Sequence, residues 1–278
     1  MQSRNPVFAR SDEFNGQQTM QRNDPTQWRM DTDASTGPST VDSRRMSIDT
    51  VVEKTAFTLG LLVVFAGIAW IAIGNVVDGG YYDQSALNTA YMLSLVGAIG
   101  GFALAMVNSF KKTVSPALVL AFSAVEGLFV GAFSKMITTY VGGDVSIIFG
   151  AVLGTMAAFG GTLAAYKFFN IQVSNRFRKV VVASMFGFVG VAMLDFVLSF
   201  FGANFGFNGF GTLGLISSVI AVVIAVFMLI LDFDYVERGI AAGLPERESW
   251  RAAFGLTVTI VWLYIEILRI LAIVAGRD

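Results

Sequence analysis

The sequence predicts an all-α, polytopic membrane protein: a bundle of seven transmembrane helices with its N-terminus on the cytoplasmic side. Three observations carry that prediction. Hydrophobic residues make up 55% of the 278-residue chain and charged residues only 14%, against about 25% charged in an ordinary soluble domain. The charges are also unevenly placed. Residues 1–54 hold 15 of the 39, which leaves 24 for the other 224 residues. Finally, apolar runs near the ~20 residues that a helix needs to cross a bilayer recur along the chain from Thr55 onward.

Residues 1–50 are rich in Asp, Ser, Thr, Gln and Asn, carry mixed charge and lack an apolar period. Such a segment cannot bury enough apolar surface to offset its ordering entropy, so it reads as a disordered cytoplasmic tail ahead of a seven-span domain at 51–278. No apolar segment follows its start, which argues against a secretory signal. Within it, Asn5-Pro6-Val7-Phe8 is a short stretch that can dock on the body or on a partner.

The spans fall at about 55–77, 90–109, 114–134, 145–166, 180–201, 212–231 and 253–275. Only Lys111, Lys112 and the Ser115-Pro116 pair separate the second from the third. A proline suits the first turn of a helix, which supports a break there. Loop charge is an independent check, because Lys and Arg accumulate on the cytoplasmic side. Arg44, Arg45, Lys54, Lys111, Lys112, Lys167, Arg176, Arg178, Lys179, Arg238, Arg247 and Arg251 all flank one set of span ends, whereas Lys135 and Arg277 flank the other. Seven crossings with the N-terminus inside account for that alternation.

Absent residue types exclude whole chemistries. There is no Cys and no His, so disulfides, thiolates, serine–histidine and cysteine–histidine hydrolases and His-ligated zinc are ruled out. A net charge of −1 without a basic stripe argues against a nucleic-acid partner. The partner that composition does require is the lipid bilayer. Proton- or metal-linked chemistry must use carboxylates.

The pairs Gly97/Gly101, Gly127/Gly131 and Gly150/Gly154 each have the G-x-x-x-G spacing that lets helix backbones approach closely in lipid. The uncharged, aromatic stretch 201–210 is expected at the outer membrane interface, with a gating lid as the alternative.

Six ionisable groups fall at hydrocarbon depth, where each is expensive unless paired or hydrated. Glu126 is near the middle of the third span and has no cation in its own span. Asp195 is toward the outer end of the fifth. Asp232 and Asp234 end the sixth on its inner side, and Glu266 and Arg269 lie at and above the middle of the seventh. Glu266 and Arg269, three apart, share a helix face and can neutralise each other. Alternatively Arg269 pairs across helices with Asp195 and leaves Glu266 facing a polar cavity. Asp234 and Arg238 are an i,i+4 pair, which makes Asp232 the freer acid. Buried carboxylates resist ionisation and can hold a hard cation when deprotonated. The competing reading is that hydroxyls and amides in the core simply satisfy them.

Four stretches carry a resemblance to a known family: Asn5-Pro6-Val7-Phe8-Ala9-Arg10; Ser123-Ala124-Val125-Glu126-Gly127-Leu128-Phe129-Val130-Gly131; Leu231-Asp232-Phe233-Asp234-Tyr235-Val236-Glu237-Arg238-Gly239; and Trp262-Leu263-Tyr264-Ile265-Glu266-Ile267-Leu268-Arg269-Ile270-Leu271. The sequence resembles the Bax-inhibitor-motif family of seven-span membrane proteins, in particular its bacterial branch, over essentially residues 50–278. The resemblance implies a bundle with the last helix central, in the inner membrane of a bacterium, and a pH-dependent calcium leak. It implies no cofactor other than the permeant calcium ion. In that family an aspartate ending span six shares a proton with an aspartate on the last helix and forms a cytoplasmic-side gate. Asp232 matches the first of these. For the second, the Leu-Tyr-x-acid pattern puts Glu266 in place and the closing Ile-Leu-Arg pattern puts Thr259 there, with depth favouring Thr259. Asp232 and Glu266 are the possible calcium ligands.

Two functions from different classes therefore compete. One is a cation leak channel; the other is a non-conducting regulator that binds other membrane proteins such as quality-control proteases. A secondary transporter lacks a clear inverted repeat, and no constellation of nucleophile, base and oxyanion site suggests an enzyme.

Overall fold

The computed structural model describes residues 45–78, 81–169, 171–203 and 205–276. Most of the expected tail, including Asn5-Pro6-Val7-Phe8, lies outside the described residues, as do Asn204 and Arg277. Among the described residues, seven helices are long and apolar enough to cross a membrane: α1 Ile48–Ile73, α2 Gln84–Phe110, α3 Pro116–Thr138, α4 Ser146–Phe168, α5 Asn175–Ser199, α6 Thr212–Ala241 and α7 Glu248–Ala275. A two-residue antiparallel ladder, β1 Val77–Asp78 with β2 Tyr81–Tyr82, closes the α1–α2 turn.

α1, α2 and α5 begin five to seven residues before their apolar runs, because side-chain caps rather than hydrophobicity set those ends. Ser47 and Thr50 form a capping box that starts α1. The Asp83 carboxylate accepts from the backbone N–H groups of Ser85 and Ala86 and starts α2. Ser174 caps α5 through the Phe177 N–H. At its other end α6 runs ten residues past the apolar segment. Its 30 residues measure about 45 Å against a hydrocarbon core of about 30 Å, so its charged end emerges from the membrane.

α7 packs against α1, α3, α4 and α6 and is the centre of the bundle; α3 also packs on α1 and α2, whereas α5 packs chiefly on α6. The outward faces are apolar, with Ile71 at 80%, Phe110 at 78% and Phe168 at 79% exposure. Aliphatic and aromatic surface on that scale is a lipid-facing one. The core on the inner side gathers Met46, Val51, Leu229, Phe233, Leu256 and Leu263.

All four sets of basic ends meet at one face. Met46 N–H donates to the Leu244 carbonyl (2.8 Å). Arg251 Nη2 donates to the Lys112 carbonyl (2.7 Å), and Arg238 Nη2 donates to the Val173 carbonyl (3.0 Å). At the opposite face Tyr140 stacks on Phe210 with ring centroids 4.1 Å apart. By the loop-charge rule the first face is cytoplasmic. α1 and α7 consequently run parallel, and hydroxyls tie them in one register: Thr50 Oγ1 to Ser249 Oγ at 2.8 Å and Thr58 Oγ1 to Thr257 Oγ1 at 2.9 Å.

The three glycine pairs sit at helix crossings. A Cβ at Gly127 or Gly131 would strike the carbonyls of Leu62 and Ala66 on α1, and one at Gly97 would lie 2.8 Å from Phe129 Cβ on α3. Cβ atoms at Gly150 and Gly154 would press on Leu271 and Ile267 of α7 at 3.2 and 3.1 Å.

Candidate functional site

Near the cytoplasmic ends of α6 and α7 a carboxylate meets a hydroxyl. Thr259 Oγ1 donates to Asp232 Oδ2 at 2.7 Å and also lies 3.1 Å from the Gly255 carbonyl one turn below. Thr259 is buried and Asp232 is half-buried. No cation pairs with Asp232 among the described residues. The geometry therefore puts Thr259, not Glu266, against Asp232. An acid with one hydroxyl partner and no counter-ion can change its charge without breaking an ion pair.

Asp234 faces the other way and is fully committed. Arg238 Nε donates to its Oδ1 at 2.9 Å, as the i,i+4 spacing suggests, and Arg178 Nη2 of α5 donates to Oδ2 at 2.7 Å. The Arg178 contact links segments 56 residues apart and has no local sequence signal. Asp234→Asn is expected to lower the unfolding free energy by about 1 kcal/mol. The effect stays small because both arginines are near half exposed (42% and 51%) and solvent screens them. Equilibrium unfolding in detergent measures it.

Two charges hold the outer loop from either side. The Asp195 carboxylate on α5 accepts from the Phe205 N–H (2.6 Å) and the Asn208 N–H (2.9 Å). From α7, Arg269 Nη2 donates to the Phe207 carbonyl (2.7 Å), the Gly214 carbonyl (3.1 Å) and Ser217 Oγ (2.6 Å). No direct Asp195–Arg269 pair forms: the Phe205 and Asn208 N–H groups take Asp195, while Arg269 joins Ser217 Oγ on the Phe207 and Gly214 carbonyls. The intrahelical pair does form, with Arg269 Nη1 3.4 Å from Glu266 Oε2. The stretch 201–210 is thus fastened to two helices.

Glu266 opens onto a cavity of about 330 Å³ whose walls include Phe188, Ala192, Phe196, Asn208 and Trp262. The cavity is largely aromatic and aliphatic; among the described residues only Asn208 and the Trp262 indole add polar groups, which corrects the expectation of a polar one. Glu266 Oε2 makes no hydrogen bond there.

Glu126 stands apart from both groups. It sits on the face of α3 that meets α2, and its Oε2 occupies the space that a Cβ at Gly101 would take. It makes no hydrogen bond or ion pair with any described residue.

The suggested calcium ligands, Asp232 and Glu266, are not brought together. Thr259, which touches Asp232, and Glu266 are seven residues apart on α7, roughly 10 Å along the axis, so one ion cannot bridge the two acids in this conformation. Among the described residues no group of three or more acidic side chains is placed to hold a metal. The hydroxyl ladder along α7, which continues with Tyr264 Oη 2.8 Å from Ser134 Oγ, was not foreseen. Its one sequence signal is the shared spacing of eight between Thr50 and Thr58 and between Ser249 and Thr257.

Comparison with individual curated proteins gives no match. A family model described as Bax inhibitor 1 like matches residues 5–276, nearly the whole chain. Seven apolar helices, a central last helix and that match agree, and the chain belongs to the Bax inhibitor 1 like family of multi-pass membrane proteins.

Proposed function

We propose that this protein is a pH-sensitive calcium leak channel of the bacterial inner membrane, gated on its cytoplasmic side by Asp232. The observation that carries this reading is the Asp232–Thr259 contact between α6 and the central helix (2.7 Å), made with no counter-ion among the described residues. Ionised, the Asp232 carboxylate adds a negative charge that draws a divalent cation to the inner mouth. Protonated, it keeps a hydrogen bond to Thr259 but loses that attraction. Thr259 cannot share a proton as a second acid would, so Asp232 acts alone. Glu126 and Glu266 are separate acidic stations in the membrane, with Glu266 in an ion pair with Arg269 (3.4 Å).

Purified protein in liposomes loaded with a calcium indicator tests this. Asp232→Asn keeps the shape and removes the charge. It is expected to lower calcium flux at neutral pH by about tenfold, the equivalent of roughly 1.4 kcal/mol of ion stabilisation. Thr259→Val is expected to alter the flux while leaving it pH-dependent. Wild-type flux indistinguishable from that of Asp232→Asn overturns the role of Asp232. The second reading, a non-conducting regulator, draws on α5, which packs chiefly on α6 and leaves most of its surface open to a membrane partner. It requires that no flux be measured at all.

A further inference from the structure

Lys135 has no part in the acidic sites. It lies in the last turn of α3 on the outer side, is 93% buried, and places Nζ 3.8 Å from the centroid of the Trp70 ring. Among the described residues no acid neutralises it. A buried cation held over an aromatic face gains from the ring quadrupole, but at the membrane boundary its charge remains open to an anion.

The same Trp70 ends a groove of about 360 Å³ between α1 and α4, floored by α3 and α7. Its α1 wall runs from Leu59 through Val63 and Gly67 to Trp70, with Val152 and Met156 of α4 opposite. From Leu59 to Trp70 is eleven residues, about 16 Å, which is about half of a 30 Å hydrocarbon core. Because α1 starts at the cytoplasmic face, this is the outer half. The hydroxyls on the walls are already spent: Ser134 and Tyr264 bond to each other, and Thr155 donates to the Ala151 carbonyl at 2.7 Å. The groove therefore offers apolar surface along its length, with the Lys135 cation over the ring of Trp70 beside its outer end.

We infer that this groove holds an acyl chain of an outer-leaflet phospholipid with an anionic headgroup, whose phosphate pairs with Lys135. Charge and length select that occupant together. A zwitterionic lipid brings its own ammonium group and gains less from the lysine; a free anion leaves the groove unfilled. The inference does not depend on conduction and stands or falls separately from the channel reading.

Native mass spectrometry of the full chain, released from detergent holding equal amounts of phosphatidylglycerol and phosphatidylcholine, tests it. The wild type is expected to retain phosphatidylglycerol about fivefold over phosphatidylcholine, the worth of one basic residue at a membrane surface. Lys135→Met should erase that ratio and Lys135→Arg should restore it. Gly67 offers a way to block the chain, since a Cβ there meets nothing within 4 Å. Gly67→Phe is expected to fill the groove without striking backbone and to lower retention of both lipids. Circular dichroism and monodisperse elution confirm that each variant is folded. Equal retention of the two lipids by the wild type, a ratio unchanged in Lys135→Met, or retention unchanged in Gly67→Phe overturns the inference. So does displacement of the lipid by glycerol phosphate, which would reduce the site to a simple anion site.

Discussion

Arg269→Ala is expected to destabilise the protein by about 3–5 kcal/mol, the range for removing one partner of a buried ion pair. Its side chain is 8% exposed, and the guanidinium serves the Phe207 and Gly214 carbonyls, Ser217 Oγ and the Glu266 carboxylate. Without it Glu266 becomes an uncompensated buried charge, and the loop loses its tie to the central helix. The loop keeps its other tie, since Asp195 still accepts from Phe205 and Asn208. Arg269→Ala should therefore unfold at lower denaturant and expose the 201–210 stretch to protease earlier than the wild type. Adding Glu266→Gln to the same chain should recover part of the loss by removing the stranded charge. A stability within about 1 kcal/mol of the wild type would mean that water already satisfies these groups, as at exposed pairs.

Gly131→Val is the second large effect. A Cβ at this position collides with the Ala66 carbonyl and comes within 2.8 Å of Ala66 Cα. The obstacle is backbone, so no rotamer change relieves it and α1 must move away from α3. Overpacking on that scale costs about 1–3 kcal/mol or more. Part of the price is the Thr58–Thr257 hydroxyl contact, because α1 also packs on α7. Gly60→Ala on α1 is the matched control: nothing lies within 4 Å of its added methyl. Thermal unfolding in detergent should separate the two by several degrees. Equal midpoints would show that the α1–α3 crossing tolerates a wider spacing.

These two sites differ in how far sequence alone reveals them. The crossing was legible, since the G-x-x-x-G spacing marks small residues on one helix face and the structure puts each pair against a neighbour. The spans were legible for the same kind of reason: apolar length is a property of the local chain. Helix ends were not, because Ser47, Asp83 and Ser174 act through one or two local hydrogen bonds each, which hydropathy ignores. Among the acids, Asp234–Arg238 followed from spacing, and the preference for Thr259 beside Asp232 followed from depth along two helices. The fate of Asp195 and Arg269 did not. Opposite charges at similar height suggest a pair, yet the Phe205 and Asn208 N–H groups took Asp195, and the Phe207 and Gly214 carbonyls with Ser217 Oγ took Arg269. Lys135 looked like a loop cation and is instead packed on Trp70, since a lysine stem can be buried while its head stays at the boundary.

The pH dependence of calcium flux through wild-type protein and Asp232→Asn, measured in the same liposomes from mildly acid to mildly alkaline conditions, tests the proposed gate most directly. An ionised Asp232 attracts calcium and a protonated one does not, so wild-type flux should rise with pH. Asparagine cannot titrate, so the variant should stay low and flat. Parallel rising curves for both proteins would place the proton sensor elsewhere and contradict gating by Asp232.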